Sequence, residues 1–266
     1  MWLTPYFKGL SQINPVLVNF QFVTIYWYGV CLALGIILGL WWLFKNIKDR
    51  GLKTHLLDLA VWVILSGVIG ARLTFVILKW PDYASNLGAI FNLQAGGMSI
   101  HGALIFGSLV IIIYSYFNKL SALKVFDVLA PAVVIGQIVG RFGNFFNQEA
   151  FGGPTNLPWK MFVAEKFRPL GLESFSYYHP TFLYAIVGLL IIFIVLLWLR
   201  QRKLIPGLVL LSYVIMYSLL RFVTEFFRID SDYWGSLTVA QWASIVVVSI
   251  SLITSLILRY RSKTKS

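Results

Sequence analysis

Seven apolar stretches, each long enough to cross a lipid bilayer as a helix, constrain the fold of this chain more than any other feature. Their approximate limits are 22–44, 56–78, 98–117, 125–147, 180–199, 207–228 and 237–258. A spanning helix needs about 20 mostly apolar residues, and it satisfies its own backbone polar groups in hydrocarbon. Because 59% of the residues are hydrophobic and only 12% are charged, a soluble domain could not hide this surface. The sequence therefore predicts an all-α polytopic membrane protein with about seven transmembrane helices, in which residues 1–266 form one domain.

The basic residues are unevenly distributed between the two sides of the predicted helices. More than half of the 22 lysines and arginines fall in four segments on one side, 45–53, 119–124, 200–203 and 259–265. Cytoplasmic loops carry such an excess. We therefore expect the N-terminus outside, the C-terminus inside and a long external loop near 148–179, whose aromatic content favours a folded structure. Since topology explains most of the net charge of +12, we expect no nucleic-acid partner.

Six polar residues interrupt the apolar stretches at a similar predicted depth, in the outer half of the membrane. They are Arg72, His101, Arg141, Glu149, Arg221 and Glu225. A charge at the centre of a helix costs about 2.5–3.5 kcal/mol on insertion scales, so such residues usually pair or serve a function. Pairs that merely lock helices together remain the alternative. The shared depth favours one polar cavity that opens toward the outer leaflet.

The local spacing of these residues indicates a site for an anion. Arg141, Asn144 and Gln148 fall at i, i+3 and i+7, on one face of a helix, and Arg221 and Glu225 are expected to pair at i, i+4. The forked donors of arginine suit a phosphate group. At this depth the natural source of a phosphate is a phospholipid headgroup.

A second anion cue precedes the third apolar stretch, at Gly96-Gly97. The free N–H groups and the dipole of a following helix favour negative charge there, although a plain turn is the more common explanation of two glycines before a helix. His101 follows in the first turn, and a neutral imidazole is a general base or a packed, hydrogen-bonded residue. Cys31 is predicted to be a small core residue, and no cysteine cluster suggests a metal.

Four motifs then occur in a characteristic order: "GGMSIHGALIFG", "GRFGNFFNQEAFGG", "HPTFLYA" and "RFVTEFFR". In this order the sequence resembles bacterial prolipoprotein diacylglyceryl transferases from Tyr28 to the last apolar stretch. The resemblance implies a catalytic domain in the bacterial plasma membrane with its active site toward the outer leaflet. It implies transfer of a diacylglyceryl group from phosphatidylglycerol to the lipobox cysteine thiol of preprolipoproteins, the first step of lipoprotein maturation. Glycerol phosphate leaves, and neither a metal nor another cofactor is implied.

The resemblance also assigns residues to the site. It implies catalytic roles for four residues, His101, Arg141, Arg221 and Glu225. It implies substrate binding by Arg141, Asn144, Glu149, Gly97 and Tyr28. Tyr26 is an alternative to Tyr28, which stands beside Gly29 and matches better. The nucleophile belongs to the substrate, so Cys31 should be dispensable.

The chain departs from the family pattern at several positions. Ala103 and Gln148 stand where many members have glycine, Phe151 where tryptophan is common, and Ala185 where many have glutamate. None of these removes a proposed catalytic group, but Ala185 makes a role for an acid at that position doubtful.

Two other function classes compete with this interpretation. Charges inside a membrane also mark transporters and channels, but here they share one depth and do not line a path across. Other lipid enzymes would require different motifs. An acyltransferase would need an aspartate five residues after a histidine, where this chain has Ala60, Phe106 and Tyr184.

Overall fold

The computed structural model describes residues 13–20, 23–47, 50–93, 96–202 and 204–264. Seven helices in these ranges are long and apolar enough to cross a membrane. They are α1 (Trp27–Asn46), α2 (Arg50–Leu78), α3 (Ile100–Phe117), α4 (Ala122–Asn147), α5 (Thr181–Arg200), α6 (Leu208–Glu225) and α7 (Val239–Lys263). The predicted fold class is confirmed. The orientation stays a prediction, and part of the charge on which it depends (Lys48, Lys203 and Lys265) lies outside the described residues.

The predicted start of the first helix differs from the structure by five residues. The apolar stretch starts at 22, but α1 begins only at Trp27. The residues just before it form a strand, β2 (Thr24–Tyr26), which pairs antiparallel with β1 (Val16–Asn19). Hydropathy cannot separate these two structures, because a short β-branched strand and the first turn of an apolar helix look alike.

The described chain forms two compact units. The larger comprises the described parts of 1–39 and 130–266. Within it α1 and α4 approach so closely that a Cβ atom at Gly35 would lie 2.9 Å from the carbonyl oxygen of Gly136. Small residues are the usual means of bringing membrane helices together. Side chains of α4, α5 and α6 form a core of Ala130, Val134, Leu189, Ile192, Leu196 and Val209.

The smaller unit comprises residues 40–129. Here α2 packs on α3 so tightly that a Cβ atom at Gly102 would lie 2.2 Å from the carbonyl oxygen of Gly70. One helical turn (Trp80–Tyr83) and a 3₁₀ turn (Leu87–Phe91) lie between these two helices in the sequence. His55 Nδ1 lies 3.2 Å from the Tyr114 hydroxyl, which gives that histidine a structural partner.

The long segment between α4 and α5 is folded, as its aromatic content predicts. Its strands β3 (Met161–Phe162) and β4 (Tyr177–Tyr178) pair antiparallel around a 3₁₀ turn at Glu165–Phe167. Residues of this segment share a hydrophobic core with α4, α5 and the chain before β1. The buried members are Ile13, Phe145, Phe151, Met161, Val163, Tyr178, Phe182 and Ile186. A last hairpin, β5 (Tyr233–Trp234) with β6 (Leu237–Thr238), leads into α7. Thr238 and Gln241 start that helix with a capping box.

Candidate active site

The end of α4 is shaped by two features, a close contact with α1 and an abrupt turn. A Cβ atom at Gly143 would lie 2.6 Å from the ring of Tyr28, so glycine is what lets this tyrosine pack against α4. Next to it Trp27 and Phe146 stack with their ring centroids 4.8 Å apart. The structure thus places Tyr28, the preferred tyrosine, against the helix that carries Arg141 and Asn144.

The helix stops at Asn147, and the two flanking residues of Glu149 adopt left-handed backbone conformations, with φ of 48° at Gln148 and 54° at Ala150. The placement of Gln148 at i+7 on the helical face is therefore wrong. Gln148 is only 2% exposed, and its Oε1 accepts a hydrogen bond from the Ala164 N–H at 2.6 Å. Its Nε2 donates to the carbonyl oxygen of Ile13 at 3.4 Å. Left-handed φ explains why glycine suits this position; here Gln148 instead ties three segments together.

Glu149 points its carboxylate back toward α4. Its backbone N–H donates to the carbonyl oxygen of Asn144 at 3.0 Å. In the other direction, Asn144 Nδ2 donates to Glu149 Oε1 at 3.0 Å. This reciprocal pair fixes the two side chains to each other, while the glutamate itself remains exposed.

A narrow polar pocket, which we call the arginine pocket, is lined by residues of α4, α5 and α6 and of the segments that follow α4 and α6. Its wall consists of Arg141, Asn144, Ala150, Thr181, Phe182, Ala185, Arg221, Thr224 and Arg228. It has a volume of about 10 Å³, enough for about one water molecule. A phosphate would therefore enter only as the arginine side chains rearrange. Ala185 lies on this wall, so the residue that departs from the family pattern leaves the pocket without a carboxylate there.

The predicted pair of Arg221 and Glu225 is confirmed. Arg221 Nη1 lies 2.6 Å from Glu225 Oε2. Glu225 is 3% exposed, and Ser231 donates a hydrogen bond from its hydroxyl to Oε1 at 2.5 Å. Since a buried carboxylate is costly without partners, these contacts stabilise its charge and hold Arg221 in place.

The fork between Arg228 and Asp230 was not predicted from the sequence. Arg228 Nε and Nη2 donate to the two carboxylate oxygens of Asp230 at 2.9 and 2.6 Å. Its Nε also lies 4.0 Å from Glu225 Oε2. A spacing of two residues outside a helix has no fixed geometry, so no sequence pattern indicates this pair.

Arg141 differs from these two arginines. Its guanidinium forms no hydrogen bond or ion pair with any other residue that the structure describes. It is half-buried on the wall of the arginine pocket. Its donors are therefore available for an anion, whereas Arg221 and Arg228 are held by carboxylates.

Arg72 has a different function from the one that its predicted depth suggested. It is 5% exposed. All five of its N–H donors reach backbone carbonyl oxygens, at 2.6–3.1 Å, of Ala89, Ile90, Asn92, Gly96 and Gly97. No donor remains for an anion, so Arg72 fixes the segment before α3 and does not serve as an anion ligand.

That segment leads directly to Gly97 and His101, in the smaller unit. Gly97 has a φ of 81°, and a Cβ atom there would lie 2.8 Å from Arg72 Nη1. Both the left-handed conformation and the close contact require glycine. His101 lies in the first turn of α3 with an exposed side chain.

We expect Arg72→Lys to destabilise the protein, because an ammonium has three donors and leaves at least two of the five carbonyl oxygens without one. The free energy of unfolding should fall by about 1–3 kcal/mol, measured by SDS titration in mixed micelles. Lys79→Ala, an exposed change on the same segment, should have almost no effect. Equal stability of the two variants would contradict this role for Arg72.

A second network outside the predicted site surrounds His179. Its Nδ1 lies 2.9 Å from the hydroxyl of Tyr184, which accepts a hydrogen bond from Trp159 Nε1 at 3.0 Å. Burial lowers the pKa of His179, which favours the neutral ring. This network joins the folded segment to the start of α5. The prediction that His179 is mainly structural agrees with these contacts.

Comparison with known proteins agrees with the motif order. The sequence model of a family described as prolipoprotein diacylglyceryl transferase matches residues 15–257. Similar proteins named phosphatidylglycerol–prolipoprotein diacylglyceryl transferase occur in three bacteria, among others. The Synechocystis protein is 41% identical over 91% of this chain and 88% of its own length. The Thermosynechococcus vestitus protein is 39% identical over 86% and 87%, and a Clostridium botulinum protein is 39% identical over 90% and 95%. This chain therefore belongs to the prolipoprotein diacylglyceryl transferase family.

Proposed function

We propose that this protein transfers the diacylglyceryl group of phosphatidylglycerol to the thiol of a lipobox cysteine in preprolipoproteins, at the outer leaflet of the bacterial plasma membrane. The proposal rests on one observation: the Arg141 guanidinium has no partner among the described residues and lines the same pocket as Arg221. The two substrates are taken from the relatives, which are named for phosphatidylglycerol and prolipoprotein. An unpaired arginine in a membrane protein is costly unless it binds an anion or reaches water.

In the proposed reaction, the cysteine sulfur of the acceptor attacks the carbon of the diacylglyceryl group that is bonded to the phosphodiester oxygen. The carbon–oxygen bond breaks, a thioether forms and glycerol phosphate leaves with the electron pair. Arg141 and Arg221 bind the phosphate and stabilise the charge that develops on the leaving oxygen. Glu225 holds Arg221 in position. Asn144 and Glu149 orient the glycerol of the headgroup.

Three residues complete this scheme. Tyr28 packs its ring against Gly143, near the end of α4. Gly97 shapes the turn before α3. His101 takes the proton from the incoming thiol, because a thiol with a pKa near 8.5 is mostly protonated at neutral pH and the thiolate is the nucleophile.

The function can be tested with the purified chain in phosphatidylglycerol vesicles and a synthetic peptide that contains a lipobox. We expect the peptide to gain the mass of a diacylglyceryl group while glycerol phosphate appears in equal amount. Vesicles of phosphatidylethanolamine alone should give no product. Solute flux across the vesicles without any modified peptide would instead favour a transporter.

The role of His101 gives a separate prediction. We expect His101→Gln to lower kcat by about 10²-fold, the lower range for general acid–base catalysis, with the KM for phosphatidylglycerol unchanged. His55→Gln is the matched control, since His55 lies in the same unit and contacts Tyr114. A normal kcat in the His101 variant would exclude this histidine as the base.

A further inference from the structure

A second and much larger cavity lies beside the arginine pocket, in the larger unit. It has a volume of about 560 Å³, which is within the range of ligand-binding pockets. Ala150 lies on the walls of both cavities. Glu149 lines the large cavity while its partner Asn144 lines the arginine pocket. The two cavities are therefore neighbours, joined by the turn that ends α4.

The walls of the large cavity come almost entirely from outside the spanning helices. Phe167 and Pro169 belong to the folded segment before α5, and Ile229 and Asp230 follow α6. Among the described lining residues, the one that belongs to a spanning helix is Asn147, the last of α4. An occupant of this cavity would thus lie beyond the helix ends and not among hydrocarbon.

The charge of the wall differs from that of the arginine pocket. Glu149 and Asp230 contribute two carboxylates, of which Asp230 is paired with Arg228 and Glu149 has no cationic partner among the described residues, and the described lining includes neither lysine nor arginine. The remaining lining is mostly apolar. An anionic phospholipid headgroup would be repelled here, since like charges disfavour binding, whereas the arginine pocket would attract it. An uncharged or cationic occupant with apolar side chains matches this wall.

We infer that the large cavity binds the acceptor polypeptide, through the residues that immediately follow its reacting cysteine. The inference rests on the proposed function and assigns the second substrate of that reaction. The apolar core of a signal peptide precedes the cysteine and belongs among the spanning helices. The residues after the cysteine leave the membrane, and this cavity is where they pass the turn that carries Glu149. The phosphate in the arginine pocket and the peptide in the large cavity then meet at Ala150.

Ile229→Trp tests this assignment by filling the cavity from a side chain that has no place in the proposed chemistry. Two-substrate kinetics with phosphatidylglycerol vesicles and the synthetic peptide should show a KM for the peptide raised about tenfold or more, with the KM for phosphatidylglycerol within about twofold of wild type. Leu170→Trp is the control, because Leu170 is 96% exposed and does not line the cavity. It should behave as the wild type does.

The opposite pattern, a raised KM for phosphatidylglycerol alone, would assign the cavity to lipid and overturn the inference. Unchanged values for both substrates would overturn it as well. A loss of the same size in Leu170→Trp would do so too, because the effect would then be unspecific.

Photocrosslinking separates this inference from the proposed chemistry. A benzoylphenylalanine at position 229, combined with Arg141→Ala, should crosslink to the peptide even though transfer has stopped. The same probe at position 170 should not. Peptide crosslinking in the absence of any wild-type transfer would contradict the proposed function alone, and transfer by the wild type without crosslinking at 229 would contradict the cavity assignment alone.

Discussion

Arg141→Ala is expected to reduce diacylglyceryl transfer by about 10²–10³-fold or more, the effect of removing a group that stabilises a developing anion. Arg141 is the arginine of the pocket whose donors no described residue occupies. Truncation removes its whole guanidinium and leaves Arg221 and Arg228, both of which are already held by carboxylates. The rate of peptide modification in phosphatidylglycerol vesicles measures the effect.

Two controls decide whether the loss is specific. Arg202→Ala removes an exposed guanidinium that stacks on Trp198, 4.7 Å from its ring centroid, and should leave the rate unchanged. Arg141→Lys keeps the charge but loses the fork that matches two phosphate oxygens, so its rate should fall between those of the wild type and Arg141→Ala. If Arg141→Ala folds and transfers normally, the phosphate is bound elsewhere.

Cys31→Ala completes this series, because in the proposed reaction the nucleophile belongs to the substrate. Cys31 is 6% exposed, as expected for a small core residue. The variant should keep its activity. A folded but inactive Cys31→Ala protein would require a thiol of the enzyme in the reaction and would contradict the proposed scheme.

The spanning helices could be predicted because hydropathy and length are properties of the chain itself. The same holds for Arg221 and Glu225, since a spacing of four residues on one helix fixes their proximity. Where the sequence alone was misleading, the cause was a contact or a helix end that hydropathy and periodicity do not show. The pattern at 22–26 did not reveal that Thr24–Tyr26 pairs with Val16–Asn19.

Arg72 and Gln148 illustrate the same limit at the level of single side chains. Depth in the membrane grouped Arg72 with the other arginines, but its donors reach carbonyl oxygens 17–25 residues further along the chain. Helical periodicity placed Gln148 on the face of Arg141, but the helix ends one residue earlier. Neither the end of a helix nor the partner of a buried donor can be read from periodicity.

The departures from the family pattern also gain a physical meaning only in three dimensions. Gln148 occupies a backbone conformation that glycine adopts at less cost, and its amide bonds to Ile13 and Ala164 offset part of that cost. Ala185 lies on the wall of the arginine pocket. Alanine at that position leaves this wall without a carboxylate.

Glu225→Gln is expected to lower both stability and activity. The carboxylate is 3% exposed and interacts with Arg221 at 2.6 Å and with Arg228 at 4.0 Å. Its neutralisation leaves two neighbouring cations without their shared anion. Breaking a buried ion pair from one side costs about 3–5 kcal/mol, and the partial exposure of Arg221 places the expected loss at about 3 kcal/mol. SDS titration measures the free energy of unfolding, and the peptide assay measures the rate.

Asp230→Asn is the matched control. Asp230 also bonds an arginine through two oxygens, but its side chain is 52% exposed. Exposed ion pairs contribute about 0–1 kcal/mol, so this variant should lose little stability. A loss as large as that of Glu225→Gln would mean that burial does not set the difference between the two carboxylates.

The double variant Arg221→Met with Glu225→Leu separates the structural function of the pair from its catalytic one. Replacing a buried ion pair by apolar residues of similar size is often neutral or stabilising, so the double variant should recover most of the stability that Glu225→Gln loses. It should not recover activity, because the proposed chemistry requires the charge of Arg221 near the phosphate. Recovered activity would make Arg221 a structural residue only. A double variant as unstable as Glu225→Gln would mean that apolar side chains do not stabilise this site in place of the ion pair.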